Sequence, residues 1–175
     1  MKAARVLLVM ALLSLAAPAL LVAAPGGAGG VGFGVQYVDL GLANQDLSLS
    51  YITGYGYGVS WNGARIGGFG TALLGSASRT WGGVGGLLTG WELRAGPVVV
   101  ALNLMGGPGG VAMAGQGYFI LFGQADLELG FAVLPWMQVV LYGGYQGWGN
   151  IVPGRPLASS LTTPVLGVRV AWGAF

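Results

Sequence analysis

Leu47-Ser-Leu-Ser-Tyr-Ile-Thr-Gly-Tyr-Gly-Tyr-Gly-Val-Ser-Trp61 alternates almost without a break. One parity carries Leu47, Leu49, Tyr51, Tyr55, Tyr57, Val59 and Trp61. The other carries Ser48, Ser50, Gly54, Gly56, Gly58 and Ser60, with Ile52 as its one large member. A period of two marks a β-strand, whose successive side chains point to opposite faces. A soluble sandwich would carry Lys, Glu or Thr on its wet face, whereas this stretch carries Gly and Ser. Large apolar residues on one face and small ones on the other suit a narrow barrel in lipid. The bulky parity is then expected to meet the acyl chains and the small parity to line a tight lumen.

Composition points the same way. Charged residues make up 7% of the 175 positions and hydrophobic ones 54%, against roughly 25% charged in a typical soluble domain. The 36 glycines disfavour long helices, since each costs about 1 kcal/mol in a helix interior. Aromatic and branched residues are interleaved with the glycines throughout, so the chain is not a flexible linker. The competing class is a low-complexity secreted protein that assembles into surface fibres or a coat through exposed strand edges.

Residues 1–24 read as a secretory signal. Lys2 and Arg5 form its positive start, Val6 to Ala17 its apolar stretch, and small residues offer cleavage after Ala19, Ala24 or Ala28. The alternative is an uncleaved membrane anchor over Val6 to Ala24. Residues 25–30 read as a Gly-rich lead-in and 31–175 as one barrel domain. Seven basic residues less Lys2 and Arg5 leave five, matching the five acids. The basic isoelectric point therefore belongs partly to the signal and is not a nucleic-acid signature. With no cysteine, disulfide stapling and a lipid-modified N-terminus are excluded.

Turn residues delimit eight candidate strands at 31–42, 47–61, 64–75, 82–95, 97–105, 116–134, 136–148 and 163–175. Asn62-Gly63 reads as a two-residue hairpin turn, and Gly96-Pro97 and Leu134-Pro135 are abrupt reversals. Longer links run from Gly75 to Trp81, Gly106 to Gly115 and Gly149 to Thr162. Short turns on one rim and longer loops on the other fit an up-and-down antiparallel transmembrane barrel, and an even strand number puts both ends of the domain on the short-turn side. A helical bundle is disfavoured, because after residue 24 no run of about 20 apolar residues is free of Gly or Pro clusters.

The few charges oppose the bulky parity. Glu92 and Arg94 face away from Trp91 and Leu93; Gln124, Asp126 and Glu128 away from Leu127 and Leu129; Arg169 away from Val168 and Trp172. A charge on the lipid face costs about 2–4 kcal/mol at the midplane, so these side chains are expected inside, in a structural network of Arg65, Glu92, Arg94, Asp126, Glu128 and Arg169. Asp126 and Glu128 also have the spacing of an acid–base or metal-binding pair, but carboxylates matched by arginines are more often structural. The chain has no histidine, which excludes Ser-His catalysis and His-ligated metals. Gly27-Ala-Gly-Gly-Val-Gly32 matches a dinucleotide fingerprint in spacing alone, with neither a core strand before it nor a helix after it. No cofactor is expected. Trp61, Trp91, Trp136, Trp148 and Trp172 lie near strand ends, where aromatic girdles form at the two membrane interfaces; Trp81, Tyr37, Tyr51, Tyr118, Tyr142 and Tyr145 are placed with them.

An export signal, eight alternating strands and the ending Ala171-Trp-Gly-Ala-Phe175 together resemble the small eight-stranded outer-membrane β-barrel proteins. The resemblance is architectural and spans nearly all of residues 31–175. It implies the bacterial outer membrane as location, outer-membrane lipid as surroundings, and the barrel-assembly machinery, which reads a C-terminal aromatic, as a partner in biogenesis. That family places its final Phe on the lipid-facing parity, but Phe175 shares parity with Arg169. Either a bulge intervenes near Gly173 or the match to the signal is partial. A barrel of eight strands is filled by side chains, so the expected role is non-enzymatic, in envelope structure or surface contact, and not a wide pore. Self-association into a homo-oligomer stays open. A lipid-modifying enzyme is disfavoured by the missing histidine.

Overall fold

The computed structural model describes residues 26–39, 46–75, 81–113, 116–150 and 161–174. The expected signal peptide and Phe175 lie outside the described residues. Eight strands follow one another around a closed barrel: β1 Gly27–Asp39, β2 Asp46–Val59, β3 Ala64–Gly75, β4 Trp81–Ala95, β5 Val98–Met113, β6 Gln116–Leu134, β7 Met137–Asn150 and β8 Leu161–Ala174. Every neighbouring pair is antiparallel, and β8 returns to β1 in a ladder running from Gly27↔Ala174 to Gln36↔Val165. That ladder passes Gly173 without a shift, so no bulge lies there.

Three element boundaries differ from the sequence expectation. Gly27 to Gly30, taken as a lead-in, already pair with β2 and β8. β5 runs on through Gly106-Gly-Pro-Gly-Gly110 to Met113, where a loop was expected. Glycine and proline there punctuate no turn, because β6 supplies a continuous partner edge from Gly117 to Phe131. The β2–β3 turn spans Ser60 to Gly63 and is not a two-residue hairpin. Gly63 donates its N–H to the Ser60 carbonyl at 2.9 Å and takes φ +85°, the left-handed position that closes a three-residue loop.

This turn, the Gly96-Pro97 turn and the Pro135-Trp136 turn share one rim with the first and last strand ends. Hydrogen bonds run around that rim: Val59 N–H to Gly26 O, Glu92 N–H to Gly63 O, Ala132 N–H to Pro97 O and Gly173 N–H to Trp136 O. Beside the last turn the β6–β7 register shifts between Ala132 and Leu134, a bulge at the barrel mouth.

The main correction concerns the faces of β2. The period of two holds, but Tyr51, Tyr55 and Tyr57 point into the lumen and are 3–5% exposed, while Gly54, Gly56 and Gly58 share the outward parity of exposed Ile52. The cause lies on β1. Directly opposite Tyr51, Tyr55 and Tyr57 are Gly34, Gly30 and Ala28, all on the inward face. A Cβ on Gly34 would fall on the Tyr51 ring, and one on Gly30 within 2.9 Å of the Tyr55 hydroxyl. The rings fill volume that β1 leaves empty. On the other strands large apolar residues occur on both faces, with Ile66, Leu87, Leu93, Leu102, Leu127 and Leu166 among those that face out.

Inside, the lumen divides into two halves. Toward the rim of short turns it holds Arg65, Glu92, Asn103, Asp126, Glu128, Gln138 and Arg169, all buried. Toward the loop rim it is packed with Phe69, Leu73, Val84, Leu88, Met105, Val111, Ile120, Phe122 and Val165.

Candidate functional site

Each lumen charge is placed by strand parity, and the ladders bring the strands into register. Arg65 opens β3, Glu92 lies near the end of β4, Asp126 and Glu128 are two apart on β6, and Arg169 is on β8. They form an alternating chain. Arg94 Nη2 contacts Glu92 Oε1 at 3.1 Å, and Glu92 Oε2 accepts from Arg65 Nε at 2.9 Å and Nη2 at 2.8 Å. Arg65 Nη1 reaches Glu128 Oε2 at 2.5 Å. Glu128 Oε1 in turn meets Arg169, which also grips Asp126 with Nη2 on Oδ2 at 2.8 Å and Nη1 on Oδ1 at 3.2 Å. Three guanidinium groups thus face three carboxylates, and the cluster is formally neutral.

Amides complete the shell. Asn103 Oδ1 accepts from Arg65 at 3.1 Å, and its Nδ2 donates to Asp126 Oδ1 at 3.0 Å. Gln124 Nε2 donates to Asp126 Oδ2 at 2.6 Å. The tyrosines cover the arginines: Arg65 lies 4.3 Å from the Tyr57 ring centre, and Arg169 3.8 Å from Tyr142 and 5.4 Å from Tyr55. The Tyr51 and Tyr142 hydroxyls meet at 2.7 Å. A buried ion pair needs such auxiliary contacts, because Coulomb attraction alone barely offsets the loss of water.

Arg94 differs from the other two arginines. Its side chain is 31% exposed at the rim, and Arg65 takes the central place between two acids. Sequence reasoning missed Asn103 and the tyrosine shell. Asn103 carried a usable signal, lying between Leu102 and Leu104 on the parity opposite to theirs. The oxygens of Asp126 and Glu128 are committed to guanidinium and amide donors, an arrangement that holds a barrel together and leaves little for proton transfer.

The barrel is similar to neisserial surface protein A. The crystal structure of that protein superposes with a TM-score of 0.59 at 13% sequence identity, covering 84% of this chain and 96% of that one. Likeness at such low identity speaks for the fold alone: a small closed barrel of eight antiparallel strands. No protein-family model and no curated sequence matches the chain.

Four of the five tryptophans expected at the interfaces are exposed and near the short-turn rim: Trp61, Trp91, Trp136 and Trp172. Trp148 is not one of them. It shares the inward parity of Tyr142 and Gln146, and its ring stands edge-on to Phe122 at 5.4 Å, closing the apolar half of the lumen. Tyr51 and Tyr142 likewise belong to the interior. The side chain of Tyr37 lies outside the described residues.

Gln138 is 1% exposed, and neither amide atom finds a partner among the described residues. Buried amides without partners cost about 1–3 kcal/mol. Gln138→Met, similar in length and shape, is therefore expected to raise the urea midpoint of the detergent-folded barrel or leave it unchanged; a clear fall would mean that the amide is satisfied.

Proposed function

We propose that this chain is a non-enzymatic protein of the bacterial outer membrane, contributing to envelope structure or to surface contact through the loops that join its strands at the long-link rim. Residues 1–24 act as the export signal, outer-membrane lipid surrounds the apolar belt, and the barrel-assembly machinery folds the chain in place. The observation that carries this reading is the filled lumen, with salt-bridged charges under one rim and packed apolar side chains under the other. Among the described residues such an interior has neither the width of a diffusion pore nor an uncommitted acid–base group. The similar barrel bears the name of a surface protein, and a surface role is carried from it to this chain as part of the proposal. Closure also pairs both edges of each strand, removing the edges a fibre-forming protein would use.

Membrane fractionation of cells making the full chain, with the band run heated and unheated on SDS gels, tests this reading. The processed protein should sediment with outer membranes, resist extraction by alkaline carbonate, and migrate faster before heating than after. A soluble monomer, or insoluble material with cross-β diffraction and no heat-dependent shift, would overturn it.

A further inference from the structure

The β4–β5 ladder is interrupted in mid-strand. It pairs Gly83↔Gly110 and Val84↔Gly109, then resumes at Leu87↔Gly106. The two rungs between, Gly85 with Pro108 and Gly86 with Gly107, are those that need an amide hydrogen on residue 108. Proline has none, so the Gly85 carbonyl lacks its ladder donor inside the apolar belt. Unpaired backbone groups are costly in hydrocarbon, where no water replaces them. Among the described ladders the other interruption is the β6–β7 bulge at the turn.

Side chains compensate from one strand at a time only, Val84 lying over Gly109 and Val111 over Gly82. From Gly82↔Val111 to Leu87↔Gly106, every rung has glycine on at least one strand, so six successive rungs lack the direct cross-strand side-chain pair that normally stabilises a sheet. Pairing of large residues resumes below, at Leu88↔Met105. Above the break, the strands are held by the four rungs from Trp81↔Ala112 to Val84↔Gly109.

What lies behind this stretch adds little to the cost of breaking those four rungs. The lumen there is largely apolar, lined by Val84, Leu88, Met105 and Val111, with the mutually bonded hydroxyls of Thr53 and Thr71 beside Val84, so parting the strands turns mostly hydrocarbon toward the acyl chains. The same parting at the other end would bring Glu92 and Arg65 toward lipid.

We propose that the barrel opens laterally along the loop-side half of the β4–β5 seam, the β1–β8 closure staying intact. The opening joins the apolar half of the lumen to the surrounding acyl chains.

Amide hydrogen exchange on the folded full barrel in detergent micelles reads the opening directly. Amides directed across the seam, those of Gly83, Gly85 and Gly110, should exchange roughly tenfold faster than those of Gly109, Val111 and Ile120 directed across β5–β6 at the same depth, the factor that one missing hydrogen bond supplies. Pro108→Ala returns the amide hydrogen and should slow the seam amides by a similar factor without altering those of β1–β8. Equal protection at the two seams, fastest exchange at β1–β8, or no response to Pro108→Ala would each overturn the proposal. Should that variant not fold, Gly83→Cys with Gly110→Cys places two thiols opposite each other in a chain that has no other cysteine. Oxidation of that pair should suppress exchange at Gly85 relative to the reduced form; no difference between the two forms would overturn the proposal.

Discussion

Arg169→Gln is expected to remove about 3–5 kcal/mol of stability, because it leaves Asp126 and Glu128 buried with one of their counter-charges gone. That is a large share of the roughly 5–15 kcal/mol that holds a typical domain folded. The cost exceeds that of an ordinary ion pair for three reasons. Arg169 binds Asp126 with both terminal nitrogens, bridges to Glu128, and lies over the Tyr142 ring with the Tyr55 ring nearby. Arg169→Lys should recover only part of the loss, since a point ammonium neither forks onto Asp126 nor stacks flat on a ring. Arg94→Gln should cost under about 1 kcal/mol, since its ion pair with Glu92 lies at the rim with the guanidinium partly exposed. Urea unfolding in detergent micelles, followed by tryptophan fluorescence, ranks the three. Neutralising Arg94 together with Arg169 should add little to the single change. Equal losses from Arg94→Gln and Arg169→Gln would mean that the charges are better hydrated than their burial indicates.

Gly34→Val should be the other severe change, costing about 3 kcal/mol or more. Its Cβ would occupy the place of the Tyr51 ring and come within 2.8 Å of the Tyr142 hydroxyl. Displacing those rings breaks the Tyr51–Tyr142 hydrogen bond and uncovers Arg169. The control is Gly123→Val, at an outward position where a Cβ meets nothing within 4 Å; a shift within about 0.5 kcal/mol is expected there. Both variants can be read from the temperature at which the compact band converts to the slow one on SDS gels. A Gly34→Val barrel as heat-resistant as the Gly123→Val barrel would show that β1 has room that its neighbours do not fill.

Much of the architecture was legible in the residues. Turn signals at Asn62-Gly63, Gly96-Pro97 and Leu134-Pro135 separated strands whose number and order stand. The charged parities of β4, β6 and β8 pointed inward, because the opposite parities carried Leu, Val and Trp that lipid accepts and charges that it does not. Gly-Gly-Pro-Gly-Gly at 106–110 misled as a loop, since local propensity gives no weight to the unbroken edge of β6 waiting beside it.

The lumen contacts were less legible. Arg65 was one candidate among several, and its central place between Glu92 and Glu128 depends on how far β3 and β6 lie apart across the interior. Trp148 stands two residues from the end of β7, as an interfacial ring should, yet its parity points it at Phe122.

Alternation along a single strand says which residues share a side and nothing about which side is inside. Tyr51, Tyr55 and Tyr57 could have met acyl chains or filled a lumen, and either choice satisfies a period of two. Glycines on the neighbouring strand, two guanidinium groups needing aromatic cover and the fixed volume of an eight-stranded cylinder made the choice. Those constraints arise from residues far apart in the chain and act only once the cylinder has closed.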